Sequence, residues 1–113
     1  MKKVEAIIRT ERLPAVKEAL KVLGIRGMTI FSVSGWSKGI EETLQWKGHP
    51  VPHDLIAKSK LEIIVANDTV DIVIDTIAKK ARTGVHGDGI IIVTAVEQGV
   101  NILTMEMGDD IIK

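Results

Sequence analysis

The feature that most constrains this chain is the order in which two hydrophobic periodicities alternate along it. Short segments rich in β-branched residues indicate strands, and segments with apolar residues three or four positions apart indicate helices. The predicted strands are residues 2–9, 27–36, 59–66 and 89–97, and the predicted helices are residues 13–24 and 67–81. The chain therefore uses a strand–helix–strand unit twice.

That order predicts an α+β, ferredoxin-like βαββαβ fold, in which a four-stranded antiparallel sheet carries both helices on one face. The length of 113 residues suits a single domain over 1–113. The aliphatic run at 90–93 is expected to be core. With so many apolar strand positions, the second sheet face should also be apolar and should need a cover, for which self-association is the simplest source.

Both helices carry recognisable end signals. Pro14 suits the first turn of the first helix and Gly24 suits its C-terminal end, while Asn67 or Asp68 is expected to cap the second helix. The residues expected to face inward are Leu13, Val16, Leu20 and Leu23 in the first helix, and Val70, Val73 or Ile74, Ile77 and Ala81 in the second.

Composition argues against several classes of function. The 15 basic and 15 acidic residues cancel, so no net charge attracts nucleic acid or an anionic membrane. The absence of cysteine excludes disulfides and thiolate metal sites. No apolar run approaches the ~18 residues of a membrane span, so a cytoplasmic protein is expected. No grouping of residues typical of a catalytic centre is present.

A long segment at 37–58 separates the second and third strands and has no periodicity of its own. Segments of this length in a compact domain usually carry function, although a surface excursion without a partner is the alternative. It contains Trp46, which no core position requires. His49 and His53 could form half of a metal site, but two ligands fall short of the three or four of a firm site, and incidental exposed histidines are the simpler interpretation.

The segment TGVHGDG, residues 83–89, is dense in glycine and leads into the last strand. Successive backbone amides around glycine can form an anion-binding concavity. His86 could add a positive charge when protonated, or could simply face solvent.

The element order, the long segment and TGVHGDG together resemble the PII signal-transduction family. The likeness extends over nearly the whole chain, from KKVEAIIR and GIRGMT to KLEIIVAND and ARTGVHGDG. It implies a homotrimer that binds ATP or ADP in clefts between subunits. It also implies a T-loop, here about 37–55, which grips a partner such as an ammonium channel or a metabolic enzyme. The family senses nitrogen, carbon and energy status and is not enzymatic.

The resemblance also assigns site residues by position. Thr29 and the backbone of Gly35, Trp36 and Ser37 would meet the adenine and ribose, and Trp36 could stack on the base or pack at the trimer surface. Lys58 stands at the place of a 2-oxoglutarate lysine. The phosphates would lie against the fingerprint residues Thr83, Gly87, Asp88 and Gly89.

The departures from the family pattern concern charge. Its triphosphate is neutralised by a lysine after Gly-Asp-Gly and by an Arg-x-Arg pair, and this chain has Ile90, Asn101 and Leu103 there. Each missing cation should cost about 1.5–3 kcal/mol of triphosphate affinity. The glutamine of the magnesium and 2-oxoglutarate site is Gly39, so neither is expected to bind. Val51 and His49 replace the modified tyrosine and serine.

The sequence therefore favours a trimeric PII-type regulator with altered nucleotide binding. One alternative is a divergent module that binds ADP, AMP or another small ligand, or that scaffolds a complex without nucleotide. The other is an enzyme of the acylphosphatase kind on the same fold. RTERLP, residues 9–14, lacks the glycine-rich cradle such an enzyme needs, which argues against that alternative.

Overall fold

The computed structural model describes residues 1–38, 45–46, 49–50 and 55–112. The elements run in the order β1 (Lys2–Arg9), α1 (Leu13–Val22), β2 (Thr29–Gly35), β3 (Gln45–Trp46), β4 (His49–Pro50), β5 (Ile56–Val65), α2 (Val70–Ala81) and β6 (Gly89–Ala95). Turns of 3-10 helix precede both α-helices, and another forms at Gly108–Ile112.

The main sheet has the strand order β2-β5-β1-β6, and every neighbouring pair is antiparallel. Alternate residues of β1 and β5 are buried under the two helices, which also pack against each other. This is the predicted ferredoxin-like architecture. The buried core consists of Val4, Ala6, Ile8, Val16, Leu20, Leu61, Ile63, Val65, Val73, Ile77 and Ala81.

The first helix ends as its sequence predicts. Pro14 lies in the first turn, and Gly24 follows the last turn with a φ of +99°. The N–H of Gly24 bonds to the carbonyl of Lys21 and that of Ile25 to the carbonyl of Leu20, which together make a Schellman turn. The prediction that Leu23 faces inward is wrong, because the helix ends at Val22 and Leu23 is exposed.

The predicted cap of the second helix is wrong. Neither Asn67 nor Asp68 caps it with a side chain; instead, these residues form a 3-10 turn in which the N–H of Thr69 bonds to the carbonyl of Ala66. This backbone bond replaces the expected side-chain cap.

The prediction that residues 90–93 are core is also wrong for the single chain. Only Ile91 packs against the buried cluster, while Ile90, Ile92 and Val93 are exposed. Ile90 and Ile92 point to the helix-free face, and Val93 lies on an edge strand that the helices cover only in part.

The helix-free face is less apolar than the sequence suggests. Nζ of Lys3 lies 3.4 Å from Glu5 and 3.6 Å from Glu62 at its centre. Exposed apolar residues remain on the outer strands of this face, including Phe31 on β2, and Ile90 and Ile92 on β6. The two outer strands therefore keep the apolar surface that was expected of the whole face.

Two differences concern the long segment. β5 begins at Ile56 rather than 59, because its pairing with β2 continues as far as Gly35 and Ile56. Gln45–Trp46 also pairs with His49–Pro50, a short ladder that carries no periodicity in the sequence.

Candidate functional site

The glycine-rich turn between α2 and β6, residues 82–88, is fastened from within by one carboxylate. Asp88 accepts hydrogen bonds from the N–H of Thr83 at 2.8 Å, the N–H of Gly84 at 2.9 Å and the hydroxyl of Thr83. The bond from the Thr83 hydroxyl is the main cause that holds the pKa of Asp88 well below its usual range, opposed in part by burial. Asp88 is therefore a structural anion that shapes the turn.

Arg9, the last residue of β1, holds the same turn from outside. Its Nε lies 3.0 Å from Oδ1 of Asp88, and its Nη2 donates to the carbonyl of His86 at 2.8 Å. Sequence reasoning missed this residue. Antiparallel pairing of β1 with the strand that begins at Gly89 sets Arg9 beside Asp88, and the sequence alone does not specify that register.

Lys58 reaches the turn from β5. Only 5% of this residue is exposed, and its ammonium donates to the carbonyl of Gly87. Burial lowers the pKa of Lys58, and the charge of Arg9 lowers it further, while Glu11 and Asp88 oppose the change. The turn thus rests on two cations, both of which already have partners in the chain.

Gly89 is required by a close approach between strands. Its φ is +120°, and a β-carbon there would fall on the carbonyl oxygen of Ile7 and 2.9 Å from its carbonyl carbon. Only glycine fits where β6 begins so close to β1. This packing accounts for Gly89 without any ligand.

Part of this turn is bonded within the chain, and the positions expected to carry cations hold uncharged residues. The amides of Thr83 and Gly84 donate to Asp88, and the amide of Val85 donates to the Thr83 hydroxyl, which leaves residues 86–89 as the amides of the turn that could meet an anion. Where a cation is expected, Ile90 is 56% exposed. Asn101 accepts the N–H groups of Leu103 and Thr104 and so forms a local turn, and Leu103 itself is 90% exposed.

Gly35, Trp36 and Ser37 lie at the end of the sheet that carries Lys58. Gly35 pairs with Ile56, and a β-carbon on it would touch the Lys58 side chain at 4.0 Å. Trp36 is half exposed. The structure therefore brings Gly35 next to Lys58, whose ammonium bonds to the glycine-rich turn, and Trp36 and Ser37 follow Gly35 in the chain.

Thr29 is separate from that group. It opens β2 and borders a cavity of about 530 Å³, here named the Thr29 cavity, which lies between residues 23–29 and the C-terminal end of β5. The C-terminal isoleucines Ile111 and Ile112 also line it.

Several sequence expectations fall outside the described residues. The predicted T-loop, 37–55, is described only at 37–38, 45–46, 49–50 and 55, and Gly39, Val51 and His53 are not covered. Within the parts of the chain that are covered, no three His, Asp or Glu side chains are grouped to hold a metal ion. In those parts, too, no helix has the length and apolar character needed to cross a membrane.

Comparison with known proteins gives one consistent result. The sequence model of the family described as nitrogen regulatory protein P-II matches residues 1–106. The chain is 43% identical over 108 residues to nitrogen regulatory protein P-II 2 of Methanothermobacter thermautotrophicus, covering 96% of this chain and 94% of the relative. It is 45% identical over 107 residues to the P-II protein of Porphyra purpurea, covering 95% and 96%. It is 41% identical over 110 residues to that of Rhodobacter capsulatus, covering 97% and 98%.

Proposed function

Because this chain belongs to the nitrogen regulatory protein P-II family, we propose that it is a regulator of nitrogen or carbon metabolism. It binds a small effector and passes the signal to a partner protein through the 37–55 segment. The partner is a membrane transporter or a metabolic enzyme. The protein acts in the cytoplasm and does not itself catalyse a reaction.

One observation carries this proposal: Lys58 joins the glycine-rich turn to the base of the 37–55 segment. The segment leaves the sheet at Gly35 and returns at Ile56, and these two residues are paired directly beside the Lys58 side chain. The same side chain holds the carbonyl of Gly87. An anion that binds at the turn and attracts the Lys58 ammonium must therefore disturb both the turn and the base of the segment.

The effector site is proposed to form between copies of the chain in a trimer. Thr29 lies on edge strand β2 and Gly89 on the opposite edge strand β6. Three strand spacings separate them, about 14 Å across the sheet before any offset along the strands. In a ring where the β2 edge of one copy meets the β6 edge of the next, Thr29 of one copy comes close to the glycine-rich turn of its neighbour. The exposed Ile90 and Ile92 become covered.

The effector we propose is an adenine nucleotide with few phosphates, AMP or ADP. The uncharged positions Ile90, Asn101 and Leu103 leave a triphosphate without counter-charges, and desolvating it there is costly. The alternative is that another small ligand, or none, occupies the same cleft. We do not expect 2-oxoglutarate or magnesium to bind to this chain.

Three measurements test the proposed function. Sedimentation at micromolar concentration should give a trimer, and a stable monomer would contradict the assembly. Calorimetric titration with AMP, ADP, ATP and 2-oxoglutarate should show nucleotide binding without a strong preference for ATP. Hydrogen exchange within 37–55 should change when nucleotide binds; an unchanged pattern would remove the proposed link to the partner-binding segment.

A further inference from the structure

The C-terminal segment follows a defined path across one end of the sheet. Val100 and Met107 form a β-bridge, and the N–H of Gly108 bonds to the carbonyl of Gly99 at 3.1 Å. The 3-10 turn Gly108–Ile112 comes next, with Asp109 Oδ1 at 3.7 Å from the amino group of Met1. These contacts fix the position of the isoleucines that follow Asp109.

Gly99 is matched to this path. A β-carbon there would overlap Cδ1 of Ile111 and lie 3.7 Å from its Cγ1. The backbone of Gly99 does not have a positive φ, so glycine is not required for its conformation. The absence of a side chain at Gly99 therefore leaves room for Ile111. The C-terminal turn Gly108–Ile112, here called the tail, fits against Gly99.

The docked isoleucines border the Thr29 cavity without filling it. Ile111 and Ile112 line the cavity together with Ile64 of β5, and a volume of about 530 Å³ remains. Thr29 and Glu62 are polar residues of the same lining, and the carboxylate of Glu62 lies 3.6 Å from the Lys3 ammonium. The wall formed by the isoleucines is apolar and suits a flat, uncharged ring.

We propose that Ile111 and Ile112 are specificity-determining residues that form an apolar wall of the effector site, against which the uncharged ring of a nucleoside packs. This inference rests on the proposed function, because it names the part of the effector that the Thr29 cavity receives. A nucleobase can pack on aliphatic side chains while its polar edge meets Thr29. The tail thus contributes affinity that does not depend on the phosphates.

Calorimetric titration of the full chain with adenosine, which has no phosphate, tests this inference. Ile112→Ser removes part of the wall, and Gly99→Ala displaces Ile111 without touching the cavity directly. Each substitution should weaken adenosine binding roughly five- to tenfold, because the ring then buries less apolar surface. Ile72→Ser is the matched control, because Ile72 is 48% exposed on α2 and does not line the cavity; the adenosine affinity of this variant should stay within about twofold of the unsubstituted chain.

Exchange of the Gly108 amide, measured on the same variants, shows whether the tail remains docked. Ile112→Ser should keep this amide protected, so that its weaker binding reports the wall itself. Equal or tighter adenosine binding in both tail variants would overturn the inference, and tighter binding would identify the tail as a plug. If Thr29→Ala weakens binding while the tail variants do not, the inference fails alone. If neither adenosine nor any adenine nucleotide binds the unsubstituted chain, the inference and the proposed effector fail together.

Discussion

Nε of Arg9 lies 3.0 Å from Oδ1 of Asp88, a residue 79 positions later in the chain. The pair joins the last residue of β1 to the turn that precedes β6. It lies next to Ile8 and Gly89, which are paired between the two strands. Because Arg9 also holds the carbonyl of His86, its guanidinium fixes both sides of the turn. The glycine-rich turn is therefore held in place before any ligand arrives.

Arg9→Gln should loosen this turn. It removes a charged hydrogen bond that is about three-quarters buried, so the free energy of unfolding should fall by roughly 1–2 kcal/mol. Amide exchange at Thr83 and Gly84 should accelerate, because Asp88 loses the hydrogen bond from Arg9 that helps to hold its carboxylate in place. Lys79→Gln is the control, because its pair with Asp75 at 2.9 Å is an exposed helical one worth about 0.3–0.5 kcal/mol. Equal effects of the two substitutions would contradict the role given to Arg9.

Gly89→Ala should destabilise the fold strongly. The added methyl group would meet the backbone of Ile7, which cannot rotate away, and the φ of +120° is itself unfavourable for alanine. The expected loss is about 2–4 kcal/mol in urea unfolding. Gly27→Ala offers a comparison, because nothing lies within 4 Å of a β-carbon there. Similar midpoints for the two variants would show that β1 and β6 are not packed as described.

The contribution of Asp88 to stability should depend on pH in a known direction. Its pKa in the folded protein is lowered from an ordinary value of 3.8, mainly by the Thr83 hydroxyl. A lowered pKa means that the stabilisation is complete above the ordinary value and is lost as the pH falls through the folded value. The difference in unfolding free energy between the native sequence and Asp88→Asn should therefore be largest near neutral pH and shrink below about pH 4. A difference that stays constant down to about pH 2 would refute this.

The absence of counter-charges should be visible in nucleotide selectivity. Affinity should fall only slightly from ATP to ADP to AMP, or nucleotide should not bind at all. The triple substitution Ile90→Lys, Asn101→Arg and Leu103→Arg should raise ATP affinity selectively. Each new charged contact is worth about 1.5–3 kcal/mol at best. Calorimetry with these nucleotides on both proteins measures this. Low-micromolar ATP binding by the unsubstituted chain, much tighter than AMP, would assign the missing charge to another cation, with Lys58 or His86 considered first.

The fold was predictable because its periodicities are local. Spacing alone predicts the buried faces of the two helices. Val16 and Leu20 in α1, and Val73 and Ile77 in α2, are all buried as their spacing indicates. The glycine-rich turn was predictable as a turn for the same reason. The structural role of Asp88 was not predictable from the sequence. It depends on hydrogen bonds from the amides of Thr83 and Gly84, and these bonds compete with any ligand.

What the sequence could not supply was contact between distant parts of the chain. The ion pair of Arg9 and the extension of β5 to Ile56 follow from strand register, which is set by tertiary pairing. The docking of Ile111 was missed because a short apolar tail has no periodicity to indicate its partner. The exposure of Ile90 is a different case, since an aliphatic run reveals hydrophobicity but not which residues will lie on the face that the helices leave uncovered.

Because Thr29 and Gly89 lie on opposite edge strands, two different defective variants should complement each other in the proposed ring. Each cleft takes Thr29 from one copy and the turn from the next, so defects in the two halves can complement each other. If Thr29→Ala chains are refolded with Asp88→Asn chains, every mixed trimer contains one cleft made of two undamaged halves. Random assembly from equal amounts makes about three quarters of the trimers mixed. Two preparations that are each defective would then regain binding on mixing, at up to one cleft per trimer.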